Sequence, residues 1–101
     1  MKYLQVEAEE GFAVVASSSR SQAAVMVLAP GEATGGPDNK HTKSDQWLYV
    51  ISGEGKATVA ERECELRRGT LLLIEAGEAH EITNSGRQAL ETLNVYAPPE
   101  Y

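Results

Sequence analysis

Short apolar runs, broken by polar and turn-forming residues, recur along the whole chain. They are Phe12–Ala16 (FAVVA), Ala23–Ala29 (AAVMVLA), Trp47–Ile51 (WLYVI), Lys56–Ala60 (KATVA), Leu71–Ile74 (LLLI) and Leu90–Tyr96 (LETLNVY). Their length and their Gly, Pro, Ser and Asn breaks predict β-strands of a sandwich or small barrel. Ser18–Met26 is the best helical candidate, but Ala23–Ala29 reads better as a strand running into the Pro30–Gly31 turn. The most loop-like stretch is Pro30–Asp45. Gly53-Glu54-Gly55 reads as a hairpin joining WLYVI to KATVA. Ala60-Glu61-Arg62-Glu63 reads as a second hairpin, into a short strand at Cys64–Leu66. Arg67-Arg68-Gly69 closes that strand, and a further strand begins at His80. Within Trp47–Ile51 the alternation puts Gln46, Leu48 and Val50 on one side and Trp47, Tyr49 and Ile51 on the other.

Length and charge then narrow the classes. A chain of 101 residues, 42% apolar and 24% charged, suits one domain spanning residues 1–101 with a single core. No apolar run approaches the roughly 18 residues that cross a bilayer. The opening MKYLQVEAEEG has no apolar signal-like region, which gives a cytoplasmic expectation and no membrane partner. A net charge of −6 argues against nucleic acid as a partner. Cys64 is the lone cysteine, so no intrachain disulfide exists. With His41 and His80 as the two histidines, a metal site would have to recruit oxygen ligands or water. An imidazole acid–base role would fall to one of the same two residues.

Two stretches resemble the paired motifs of the cupin superfamily. The first family motif is G-x5-H-x-H-x3–4-E-x6-G. Gly35, His41, Lys43, Gln46 and Gly53 follow its outline, with Lys43 at the second histidine and Gln46 at the glutamate. The second is G-x5-P-x-G-x2-H-x3-N, matched by Gly69, Gly77, His80 and Asn84, with Glu75 in place of proline. The resemblance covers Gly35–Asn84, about half the chain, and implies an all-β double-stranded β-helix (jelly roll). It also implies a divalent cation inside the barrel, carried residue by residue onto His41, Gln46 and His80. In an alternative alignment His41 is the second histidine and Asn39 takes the first position. Strand parity puts His41 and Gln46 on opposite faces unless Thr42–Asp45 loops or bulges.

Each position also has a plainer reading. His80 fits a core histidine bonded to a backbone carbonyl, and His41 an exposed loop residue. Gln46 serves either as a weak ligand or as a hydrogen-bonding neighbour, since amide oxygens bind divalent ions less well than carboxylates. Asp38 and Asp45 read as turn residues. Asn84 reads as a turn former at a strand end, and Cys64 as a small apolar strand residue. Two imidazoles select a borderline ion (Zn, Ni, Cu or Fe) over Mg or Ca. The leading expectation is a small-molecule pocket with such a metal and an incomplete ligand set. The alternative is a metal-free binding or sensory module, in which an inward Lys43 would pair with an anionic ligand. Fold analogy does not choose between enzyme and binding protein. The Trp47/Tyr49 face needs a cover. Either the segment Met1–Ala16 of the same chain supplies it, or a second subunit does. The resemblance to small cupins implies a homodimer.

Overall fold

A computed structural model describes residues 1–36 and 40–101. Pro37, Asp38 and Asn39 lie outside the described residues, and with them the turn assigned to Asp38 and the alternative alignment through Asn39. The described residues contain nine strands and no helix. In chain order these are β1 (Gly11–Ser17), β2 (Gln22–Leu28), β3 (Ala33–Gly35), β4 (Asp45–Ser52), β5 (Glu54–Val59), β6 (Arg62–Arg67), β7 (Leu71–Ile74), β8 (His80–Thr83) and β9 (Leu90–Ala97). They pair antiparallel into two sheets, β1-β2-β9-β4-β7 and β3-β8-β5-β6. This is the all-β jelly roll that the motifs imply.

The alternation in β4 decides what lies inside. Gln46, Leu48 and Val50 are buried, whereas Trp47, Tyr49 and Ile51 are 43%, 44% and 40% exposed. Leu48 and Val50 join Met26, Leu28, Ala57, Leu66, Ile82 and Leu90 in the core between the sheets. Each large aliphatic side chain sequestered there contributes about 1.5–3 kcal/mol. Cys64 packs half-buried against this cluster, as a small apolar residue does.

The structure corrects several local expectations. Gly53-Glu54-Gly55 is not a hairpin. β4 pairs with β7 and β9, and β5 with β6 and β8, so the chain changes sheets there. Gly53 has φ +90°, and a Cβ would run into the backbone of Ala89 and Leu90. A glycine-rich corner and a glycine-rich hairpin are written in the same residues. The second hairpin is real but tighter than Ala60–Glu63. Arg62 pairs with Val59 and Glu63 with Thr58, leaving Ala60 (φ 48°) and Glu61 (φ 67°) as a two-residue turn. Both positive φ values match the twist of the flanking strands. The Pro30–Asp45 stretch is not all loop, because Ala33–Gly35 pairs with β8. The segment Met1–Ala16 does not bury Trp47 and Tyr49. Residues 1–10 form no strand, and the aromatics stay open to solvent.

Candidate functional site

Antiparallel register places one row of inward residues across the first sheet near its end. Gln22 lies opposite Tyr96, Tyr96 opposite Gln46, and Gln46 opposite Ile74. The next rows inward carry Asn94 and Thr92, 1% and 0% exposed. These residues form a buried polar chain. The Gln46 amide nitrogen donates to Asn94 Oδ1 at 3.0 Å, and Asn94 Nδ2 donates to Thr92 Oγ1 at 3.0 Å. The other Gln46 atom, Oε1, is buried without a hydrogen-bond partner among the described residues. An unpaired buried acceptor costs about 1–3 kcal/mol.

His41 and His80 reach the same space from outside that sheet. His41 precedes β4, and Thr42–Lys43 form a bend rather than strand. That bend removes the parity conflict, so His41 and Gln46 line one wall together. His80 opens β8. The two imidazole rings lie 4.9 Å apart, tilted by 46°. They are 8% and 4% exposed, and Gln46 is 4% exposed. Together with Phe12, Tyr96 and Tyr101 they line a cavity of about 240 Å³.

Both histidines are oriented through Nδ1. His80 Nδ1 lies 3.1 Å from the Glu78 carbonyl oxygen. A carbonyl only accepts, so this nitrogen carries a proton. Burial lowers the His80 pKa, and the neighbouring His41 adds to that; the Glu78 carbonyl bond and the Glu78 charge oppose it. His41 Nδ1 stands 2.8 Å from Glu100 Oε1, which orients the ring in the same way. The His41 backbone is fixed by the Gly77 amide, which donates to its carbonyl at 2.7 Å.

Glu100 and Tyr101 are held by Gln22, whose position is set by strand pairing. Gln22 Oε1 accepts from the amides of Glu100 (3.1 Å) and Tyr101 (2.8 Å), and its Nε2 donates to the Tyr101 carbonyl at 2.6 Å. Ser44 Oγ donates to the Pro98 carbonyl at 2.6 Å. The Tyr101 ring then packs against Phe12, Tyr96 and His41. Burial raises the pKa of both Tyr96 and Tyr101, so both phenols remain protonated at neutral pH.

Lys43 and Asp45 do not join this wall. Lys43 is exposed, so its inward pairing with an anionic ligand is not what the structure shows. Asp45 is exposed, and its Oδ1 accepts from the Ala76 amide at 3.0 Å. Asn84 is more than a turn former. It is 1% exposed, its Nδ2 donates to the carbonyls of Leu28 and Gln88 at 2.8 Å each, and its Oδ1 accepts from the Gly86 amide at 2.9 Å. Sequence reasoning missed Glu100, Tyr101, Tyr96 and Asn94. The one available signal was the polar Asn94 at an inward position of an apolar strand.

The donor set can be tested against one ion. Two imidazoles binding one ion at about 2.1 Å hold their ring centres about 4.5–5.2 Å apart, for bond angles from square to tetrahedral. The observed 4.9 Å falls within that range. Gln46 Oε1 adds a neutral oxygen donor in the same cavity. Among the described residues, no three His, Cys, Asp or Glu side chains form a metal cluster. The residues therefore fit a borderline ion with two nitrogen donors, one amide oxygen and water or ligand in the remaining positions.

Known proteins share this framework. The family model for the cupin domain matches residues 24–96. The chain is 37% identical over 59 residues to the tetracenomycin polyketide synthase protein TcmJ of Streptomyces glaucescens, covering 58% of this chain and 38% of that protein. It is 31% identical over 70 residues to the oxalate-binding protein of Thermotoga maritima, covering 69% of this chain and 56% of that protein. The chain thus spans about half the length, or less, of the curated relatives it matches. A crystal structure from Bacillus halodurans superposes with a TM-score of 0.83 at 25% identity, over 91% of this chain and 73% of that one.

Proposed function

The chain belongs to the cupin family, and from that premise we propose that residues 1–101 form one cupin domain whose interior cavity binds a small molecule beside a divalent transition metal. The observation that carries this reading is Gln46 Oε1, a buried acceptor without a partner on the wall that also holds both imidazoles. A cation offsets the cost of that orphan oxygen. His41, His80 and Gln46 would hold Zn, Ni, Cu or Fe, with the imidazoles as the stronger donors. Bound there, the metal supplies Lewis acidity toward an oxygen of the ligand.

The chain's own residues do the rest. Glu100 and the Glu78 carbonyl fix the two rings in the orientation that turns Nε2 away from the Nδ1 bonds. Phe12, Tyr96 and Tyr101 give the cavity an aromatic wall that suits a flat ligand. A cavity of about 240 Å³ limits that ligand to a small molecule. Similarity to a relative named for binding oxalate supports the same class.

A metal-free binding or sensory module is the second reading. It is favoured by the neutral amide at Gln46, where the family motif has a carboxylate. Calorimetric titration of protein purified without a polyhistidine tag separates the two. One Zn or Ni ion is expected to bind per chain, more weakly than at a site with a carboxylate. His80→Ala abolishes the binding, and Gln46→Ala weakens it by less. No transition-metal binding at concentrations of about 100 μM would hand the site to the metal-free reading.

We further propose that the outer face of the first sheet joins two copies of the chain. Trp47, Tyr49, Ile51 and Leu71 are all at least 40% exposed there. β4 and β7 are paired through Tyr49 and Leu71, so the patch is contiguous. Trp and Tyr are favoured interface anchors, and a twofold axis would bury the face against itself. Light scattering on the eluting protein should give twice the chain mass, and Trp47→Ala should move it toward the monomer. A monomeric wild type at tens of micromolar, roughly, would dismiss the interface.

A further inference from the structure

β4 and β8 both run from the histidine cavity to the opposite end of the barrel, and a second concavity opens there. It is a cleft of about 670 Å³ whose rim includes Gly53, Glu54, Arg67, Arg68, Gly86 and Arg87. The chain carries a net charge of −6 and only five arginines, yet three of the five meet at this cleft. They come from different places in the sequence. Arg67 ends β6, Arg68 lies in the following turn, and Arg87 sits in the loop between β8 and β9. All three are exposed, and no ion pair among the described residues engages them. Glu54 is the one carboxylate on the rim.

Three guanidiniums gathered around one carboxylate leave an excess of positive charge, and an anion offsets their mutual repulsion. The supporting backbone is fixed in advance. Arg67 and Thr70 close their turn with the Arg67 amide donating to Thr70 Oγ1 and the Thr70 amide to the Arg67 carbonyl, at 3.1 and 2.9 Å. The Gly69 amide donates to the Val50 carbonyl at 2.9 Å, tying that turn to β4. On the other side, Asn84 binds the Gly86 amide and the Gln88 carbonyl on either side of Arg87. Binding at such a cleft orders side chains, not loops, which keeps its entropic cost low.

We propose that this cleft is a binding site for a small phosphorylated molecule of the phosphomonoester class. The charge balance supports the choice. Three arginines against one glutamate leave two positive charges, and a phosphomonoester carries about −1.5 to −2 at neutral pH. Guanidinium pairs bidentately with phosphate oxygens, which a halide cannot reproduce. The site is separate from the histidine cavity and does not depend on a metal there.

The test uses inorganic phosphate as the probe, on chelator-treated protein, read by amide chemical shifts in two-dimensional NMR at low ionic strength. Saturable shifts are expected at Gly53, Gly86 and Arg87, weakening steeply as salt rises from about 20 to about 200 mM. The exposed double variant Arg68→Gln/Arg87→Gln should lower the affinity by about tenfold or more. The charge-matched variant Arg20→Gln/Arg62→Gln should leave it unchanged. Equal loss in both variants would reduce the effect to general charge attraction and overturn the proposal. So would shifts confined to the residues around His41 and His80, or shifts that never saturate.

Discussion

At one end of the barrel His41, Gln46 and His80 are each less than a tenth exposed; at the other, Arg67, Arg68 and Arg87 stand in solvent. The first group is assembled by burial. Its side chains are oriented by Glu100, the Glu78 carbonyl and Asn94, and desolvation lowers the His80 pKa. The second group stands exposed, and what is ordered is the backbone beneath it. A buried polar cavity selects by shape and donor type, because any mismatch leaves a desolvated group unpaired. An exposed cationic cleft selects by charge and is weakened by salt. The same pair of sheets supports both because antiparallel strands carry every inward row from one end to the other.

The largest effect that sharpens this contrast is expected from Asn84→Ala. It removes three hydrogen bonds at a fully buried position. The loss should be about 2–4 kcal/mol in urea unfolding. In native-state hydrogen exchange, amides at 85–88 should lose protection while those around His41 and Gln46 keep theirs. Equal loosening at both ends would show that the ends are not independent.

A smaller effect concerns protons. Because burial lowers the His80 pKa, the unfolded chain binds a proton near pH 6.5 that the folded chain refuses. Stability therefore falls as pH drops below about 6.5 and levels off once folded His80 also protonates. His41, Glu78 and Glu100 face the same region. In chelator-treated protein, the pH dependence of the urea midpoint should be shallower in His80→Gln than in wild type. An unchanged slope would mean that His80 is not the group refusing the proton.

The sequence made one half of this structure readable and hid the other for definite reasons. Alternation in Gln46–Ile51 is a purely local signal, and it correctly sorts Gln46 inward and Trp47 outward. The spacing from Gly69 to Asn84 likewise names His80 within a single stretch of chain. Glu100 reaches His41 because Gln22, 78 residues away in sequence, and Ser44 hold the chain there. No local pattern encodes that contact. Gly53 was misread for a different reason: positive φ is equally the mark of a hairpin and of a corner between sheets. Ala33–Gly35 escaped notice because three residues show no periodicity, and their pairing with β8 is set from the other strand.

The Gln22 clamp also has a consequence in time. Gln22 binds Tyr101 across 79 residues of sequence, and β2, which has β1 on one side, finds its other neighbour only in β9. During synthesis the β2 residues Met26 and Leu28 must wait, with one flank of their strand open, until β9 has been made. Contacts that close so long a loop are among the slowest to form. The aromatic wall around His41 therefore forms late, and the nascent chain carries the open flank of this apolar strand until then.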